Sequence, residues 1–152
     1  MAIALNGGST VYTSTFTASP TANRAVTVPD ASFTLAGTDS VQTFSVAQRG
    51  AVSALTDGAT ITPDFAAANN FSVTLGGNRT LANPTNLVAG QSGVIFITQD
   101  GTGSRTLCYG SYWTFPNGAA ATLTTTASAV DVLVYVVQST TRIDAQLITN
   151  LS

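Results

Sequence analysis

Short stretches in which apolar and polar residues alternate recur along this chain, each bounded by Gly, Asn, Asp or Pro. Phe71-Ser72-Val73-Thr74-Leu75 is an example, because its apolar side chains would share one face of an extended strand. Thr and Val, which favour strands, are frequent, and helical patterns are weak. The sequence therefore predicts an all-β protein.

Three pairs of neighbouring strands are predicted. Turns at Gly76-Gly77-Asn78 and at Asp100-Gly101-Thr102-Gly103 predict hairpins that join residues 71–75 to 79–81 and residues 94–98 to 104–109. The apolar run at 94–98 is typical of a strand covered on both faces. Residues 130–138 and 142–149 form a third pair, which places Ile143, Ala145 and Leu147 inward and Arg142, Asp144 and Gln146 outward. This spacing without helices favours an antiparallel β-sandwich or a small barrel.

The length of 152 residues corresponds to about one domain. Residues 57–152 contain the strands rich in Val, Ile and Phe and are predicted to form a compact β-sandwich module, whereas residues 1–56 are rich in Thr and Ser and are predicted to form an extended N-terminal arm. A pattern of Phe, six residues, Asn-Arg, one residue, an aliphatic residue, two residues and Pro begins at both Phe16 and Phe71. A solenoid needs about three repeats, so the sequence predicts that this chain is not one.

The chain contains no histidine, lysine or glutamate. These are the residues that most often titrate near neutral pH or activate a nucleophile, so we expect no enzyme, no cofactor and no metal site. The five arginines are scattered and the net charge is −2, which argues against nucleic acid as a partner. Only 8% of the residues are charged, and this favours burial of part of the surface against identical neighbours.

Cys108 is the only cysteine, so no intrachain disulfide can form, and its apolar neighbours predict a buried side chain. The N-terminus lacks the basic region and the apolar core of a signal peptide. The apolar run at 130–137 is too short to cross a bilayer. We therefore expect synthesis in a cytoplasm and no membrane partner.

Aromatic residues cluster at Tyr109, Tyr112, Trp113 and Phe115. Tyr109, Tyr112 and Trp113 could form a surface platform that stacks on the sugar rings of a glycan or anchors a partner protein. The alternative interpretation places Trp113 and Phe115 at one end of the core, and the alternation with polar residues favours it.

Several segments resemble the C-terminal module of virion proteins from tailed bacteriophages, especially those of marine bacteria. They are Thr-Ile-Thr-Pro-Asp-Phe at 60–65, Asn-Asn-Phe-Ser-Val-Thr-Leu-Gly-Gly-Asn-Arg-Thr-Leu-Ala-Asn-Pro at 69–84, Gly-Gln-Ser-Gly-Val-Ile-Phe-Ile at 90–97, Asp-Gly-Thr-Gly-Ser-Arg-Thr-Leu at 100–107, Tyr-Gly-Ser-Tyr-Trp at 109–113 and Ala-Ser-Ala-Val-Asp-Val-Leu-Val-Tyr at 127–135. Such modules occur on tail fibres, head fibres and decoration proteins.

The resemblance implies a non-enzymatic virion structural protein, made in the cytoplasm of a host bacterium. The shortness of the chain favours a capsid decoration or head-fibre protein, and the alternative is a short tail fibre that binds a host surface polymer. The expected partners are further copies of the chain in a homotrimer, the major capsid protein or another virion protein, and a host surface glycan. Virion attachment is assigned to apolar residues of the arm that could add a strand to a partner's sheet, namely Ile3, Leu5, Val11, Tyr12 and Phe16.

Overall fold

A computed structural model of the protein describes residues 47–151. The chain divides into two units, Met1–Thr43 and Phe44–Ser152, and all described residues belong to the second. The described part is almost entirely strand and loop, with one short 3-10 turn at Pro116–Gly118. Its strands are β1 (Val52–Ala54), β2 (Thr60–Ile61), β3 (Asn70–Leu75), β4 (Arg79–Leu81), β5 (Ser92–Gln99), β6 (Leu107–Tyr109), β7 (Trp113–Thr114), β8 (Val130–Ser139) and β9 (Arg142–Ile148).

The strands form two sheets that share one hydrophobic core. The large sheet has the order β1-β3-β5-β8-β9-β7 and the small sheet has the order β2-β4-β6. From β1 to β7 the chain alternates between the sheets, so that β1, β3 and β5 pair in parallel, as do β2, β4 and β6. This part of the chain is therefore a parallel coil.

The prediction of an all-β fold is confirmed, but the antiparallel arrangement holds only for β5, β8 and β9. The predicted hairpins at residues 76–78 and 100–103 are wrong, because each turn carries the chain from the large sheet to the small one. Turn residues such as Gly, Asn and Asp set where a strand ends. They do not decide whether the next strand pairs with the last one or crosses to a facing sheet. The sheets do not close into a barrel.

The third predicted pair is confirmed. β8 and β9 are antiparallel neighbours, with Tyr135 opposite Ala145 and Val137 opposite Ile143. Ile143 and Ala145 are buried and Leu147 is half-buried, whereas the residues predicted to point outward, Arg142, Asp144 and Gln146, are exposed.

Aromatic rings fill the centre of the core. Phe65 stacks on Phe71 of β3 and on Tyr135 of β8, with ring centroids 5.7 and 4.7 Å apart. Ile61 and Leu81 of the small sheet are equally buried against this cluster. Each such side chain contributes about 1.5–3 kcal/mol by leaving water, so burial from both sheets holds the coil together.

The parallel coil also shows that the prediction against a solenoid is wrong. Coil turns here differ in length, since the residues paired with Ser53 along the large sheet are Phe71 and then Ile95. A search for a fixed repeat overlooks turns of unequal length, although their strands stack in register. The large sheet also begins before residue 57, the position at which the sequence predicts the start of the compact module, because β1 pairs with β3.

Candidate functional site

The predicted aromatic platform is divided between core and surface. Trp113 lies on β7, is only 6% exposed and donates from its Nε1 to the carbonyl of Ala82 at 3.0 Å. Its ring meets those of Phe65 and Tyr135 edge to face. Phe115 is buried as well. Trp113 therefore has little surface for stacking on a ligand, in agreement with the alternative interpretation of this group as core.

Tyr109 and Tyr112 are half-buried beside this group. The Tyr109 ring packs edge to face on Phe115 with centroids 4.6 Å apart, and burial raises the pKa of its hydroxyl above the usual value. That hydroxyl is the one buried side-chain polar atom of residues 47–151 without a hydrogen-bond partner. A shallow groove of about 310 Å³ lies along Tyr109, Ser111 and Phe115. Glycan recognition by Tyr109 and Tyr112 stays a prediction.

The residues assigned to virion attachment, Ile3, Leu5, Val11, Tyr12 and Phe16, lie outside the described residues.

Cys108 is exposed, so the prediction of a buried thiol is wrong. It is the middle residue of β6, opposite Thr80 of β4. Its neighbours Leu107 and Tyr109 are half-buried and pack against the core. Because side chains alternate along a strand, apolar neighbours on both sides place Cys108 on the outer face of the small sheet.

Ion pairs fix the corners of the coil. Asp57, in the corner after β1, accepts hydrogen bonds from Arg79 at 2.6 and 2.8 Å, and Asp100, in the corner after β5, accepts bonds from Arg105 at 2.7 and 3.1 Å. The Arg105 guanidinium, with the backbone N–H groups of Gly103 and Thr102, lowers the pKa of Asp100 to about 2. The Asp57–Arg79 pair ties one corner of the coil to the next, whereas the Asp100–Arg105 pair fixes the shape of a single corner.

The remaining described carboxylates are also engaged. Asp64 accepts from the Asn86 amide at 2.7 Å, and this bond together with the Ala66 N–H lowers its pKa. Asp131 is buried and accepts from the backbone N–H groups of Thr124 and Asn150 at 2.7 and 2.8 Å. Asp144 pairs with Arg142 at 2.9 Å. Each of the five aspartates between residues 47 and 151 thus has a structural partner, and no group of them in this range could hold a metal ion.

An apolar face lies on the outside of the large sheet. The register places Val94 and Phe96 of β5, Val132, Val134 and Val136 of β8 and Ile148 of β9 side by side. We call these six residues the apolar face. Phe96, Val134, Ile148 and Val136 are 36, 37, 46 and 50% exposed, whereas Val94 is half-buried and Val132 is buried. The sequence predicted that residues 94–98 are covered on both faces, but the described residues cover only one.

A groove of about 440 Å³ borders the apolar face. It is lined by the apolar Val134, Val136 and Pro116 and by the charged Arg142 and Asp144. The near-continuous apolar run of residues 130–137 is the sequence signal for this surface, since a strand with one wet face would alternate.

Residues 61–142 match the sequence family described as "Putative phage tail fibre C-terminal domain". The match spans more than half of the chain. The chain belongs to this family of phage tail fibre domains. The matched range runs from the end of β2 to the start of β9, so it takes in most of the coil together with β8. No curated protein and no solved structure matches the chain.

Membership in the tail fibre family identifies a phage structural protein and a component of the virion. The resemblance found in the sequence is thereby confirmed at this coarser level. No helix within residues 47–151 of the tail fibre domain has the length and apolar character needed to span a membrane.

Proposed function

We propose that this protein is a non-enzymatic structural subunit of a phage fibre, assembled from several identical chains, with the homotrimer as the expected form. The observation that carries the proposal is the family match over most of the coil. The uneven distribution of polarity supports it, because charges are paired at the coil corners while one broad sheet face is apolar. A monomer in water gains nothing from such a face.

A structural role is also supported by the state of the carboxylates. Hydrolysis of a polysaccharide by two carboxylates needs them about 5–10 Å apart in a groove, one as acid and one as base or nucleophile. In the described part, Asp57, Asp100 and Asp144 are occupied by arginines, and Asp131 is buried against backbone N–H groups. We therefore propose that the chain has no enzymatic activity, no cofactor and no nucleic-acid partner.

The place of the subunit on the particle has two candidates. The sequence favours a decoration or head-fibre protein on the capsid, bound to the major capsid protein. The family description favours a tail fibre, which in the second candidate contacts a host surface glycan. We favour the tail fibre, because residues 61–142 match a tail fibre family directly, whereas the capsid location is inferred from the length of the chain. Synthesis in the host cytoplasm and attachment through residues 2–17 complete the proposal.

The proposal is tested by labelling purified virions with antibodies raised against the recombinant protein. We expect label at the tail in electron micrographs of negatively stained particles. Label spread over the capsid would replace the tail fibre by a decoration role, and unlabelled particles would overturn both. Attachment is tested with a phage whose gene for this protein lacks the codons for residues 2–17. Labelling of its virions is compared with that of wild-type virions, and we expect the label to be lost.

A further inference from the structure

Most of the apolar face has no cover within the described part of the chain. Phe96, Val134, Val136 and Ile148 are exposed, whereas Val94 is half-buried and Val132 is buried. In a strand that is wet on one side, polar residues occupy the outward positions. Here the outward positions in the middle of β5 and β8 are Val94, Phe96, Val132, Val134 and Val136. An apolar patch of this kind, rimmed by polar residues, marks an interaction site.

We propose that the apolar face is the contact between identical copies of this chain. The proposal rests on the proposed function, since it names the surface through which the fibre subunits associate. Copies that turn this face toward a shared axis bring β5, β8 and β9 of each chain together, and the apolar side chains of one sheet then interdigitate with those of the next.

The charges beside the face are compatible with an identical copy and disfavour a partner that is recognised by charge. The charged residues beside the apolar face are Arg142 and Asp144, which pair with each other at 2.9 Å and cancel. A second copy therefore meets no net repulsion at this face. A partner recognised by charge finds nothing complementary there, because specificity of that kind needs an unbalanced patch of opposite sign.

The dimensions of the sheet suit such an interface. Strands lie about 4.8 Å apart and rise about 3.3 Å per residue, so the three strands that carry the apolar face present a flat area on the order of 300 Å². Specific interfaces bury roughly 800 Å² per partner, so the face would form the apolar centre of a larger contact. The arrangement also matches the usual anatomy, an apolar centre at Val94, Phe96 and Val134 with a rim of Thr98, Asp144 and Gln146.

The groove beside the face provides a place for side chains of the neighbour. It is lined by Val134 and Val136 of the apolar face together with Pro116. A flat sheet on its own gives little rotational specificity, and a groove next to the patch can add it.

The test is the oligomeric state of the full chain, measured by light scattering coupled to size-exclusion chromatography. We expect the wild type to be oligomeric and Val134→Asp, at a position 37% exposed, to be a folded monomer by circular dichroism. Thr60→Asp is the matched control, since Thr60 is exposed on the small sheet, and it should stay oligomeric. A folded Val134→Asp variant that remains oligomeric would overturn the proposal.

A cross-linking experiment covers the case in which Val134→Asp does not fold. In a Cys108→Ser background, Val136→Cys should be joined between chains by a short bismaleimide, and Thr60→Cys should not. An oligomeric wild type without cross-linking at position 136 contradicts the apolar face but leaves the fibre assignment standing. A monomeric wild type contradicts both the face and the proposed homo-oligomer, whereas location on the virion is decided separately by labelling.

Discussion

The hydroxyl of Tyr135 donates a hydrogen bond of 2.7 Å to the backbone carbonyl of Asn69, the residue that precedes β3. Tyr135 lies on β8, so this bond reaches across β5, which separates the two strands in the sheet. It joins the parallel coil to the antiparallel β8–β9 pair at a buried point. Burial raises the pKa of Tyr135 to about 12, which keeps the hydroxyl protonated as a donor.

Replacing Tyr135 and Tyr109 by phenylalanine should have opposite effects. Tyr135→Phe removes the bond to Asn69 and should lower the free energy of unfolding by about 1–2 kcal/mol. Tyr109→Phe removes a buried hydroxyl that has no partner, and it should be neutral or stabilising. Urea denaturation of both variants beside the wild type measures the difference. Equal losses in the two variants would show that the hydroxyl of Tyr109 is bonded.

Gly93 should tolerate no side chain. It lies directly opposite Tyr135 in the β5–β8 pairing, and a Cβ at this position would come 1.7 Å from the carbonyl oxygen of Asn69. Because that neighbour is backbone, β3 and β5 would have to separate, and Gly93→Ala should cost several kcal/mol or prevent folding. Gly101→Ala is the control, since a Cβ there meets nothing within 4 Å. Thermal melts of the two variants decide, and a Gly93→Ala melt close to that of the wild type would refute the packing described.

Asp131 should be important for holding the C-terminal end of the described chain. Its two carboxylate oxygens accept from the N–H groups of Thr124 and Asn150, and an Asn side chain has only one acceptor oxygen. We expect Asp131→Asn to lower the free energy of unfolding by about 2–3 kcal/mol. Asp144→Asn, in an exposed ion pair, should change it by less than about 1 kcal/mol. Chemical denaturation compares them, and similar small effects would contradict the role of Asp131.

Stability should be nearly independent of pH between about pH 5 and pH 9, since no histidine is present. The folded pKa of Asp100, about 2, lies below its ordinary value, so the stability from its bond to Arg105 is present above about pH 4 and is lost as the pH falls toward 2. The pKa of Tyr135 is raised to about 12, so its contribution is present below about pH 10 and is lost as the pH rises. Melting temperatures recorded from about pH 2 to about pH 12 test both losses of stability. A shift in melting temperature of more than a few degrees between about pH 5 and pH 9 would reveal a titrating group other than Asp100 and Tyr135.

The sequence predicts strands well and their partners poorly. Alternation at residues 71–75 and 142–148 reports which side chains face the core, and both strands form with that orientation. Pairing depends on contacts between residues far apart in the chain, such as Phe71 with Ile95, which no local pattern encodes. The turn at residues 76–78 is compatible with either a hairpin or a corner, so the parallel coil could not be foreseen from it.

The candidate surfaces, too, can be predicted from the sequence only in part. Burial of Trp113 is the interpretation that the sequence favours of two, because alternation with polar residues indicates one buried face. The apolar face was visible as an apolar run at residues 130–137, but a run alone does not tell which side the chain itself covers. Only the register of β5, β8 and β9 separates the core side from the uncovered side.

The central claim, that this protein is a fibre subunit of the virion, is tested most directly by its copy number on the particle. Peptides from residues 61–142 are quantified by mass spectrometry in purified virions and divided by the amount of the major capsid protein. We expect a small, fixed number of copies that is a multiple of the oligomer size. Absence of these peptides from washed particles, or an amount comparable to that of the capsid protein, would contradict the fibre assignment.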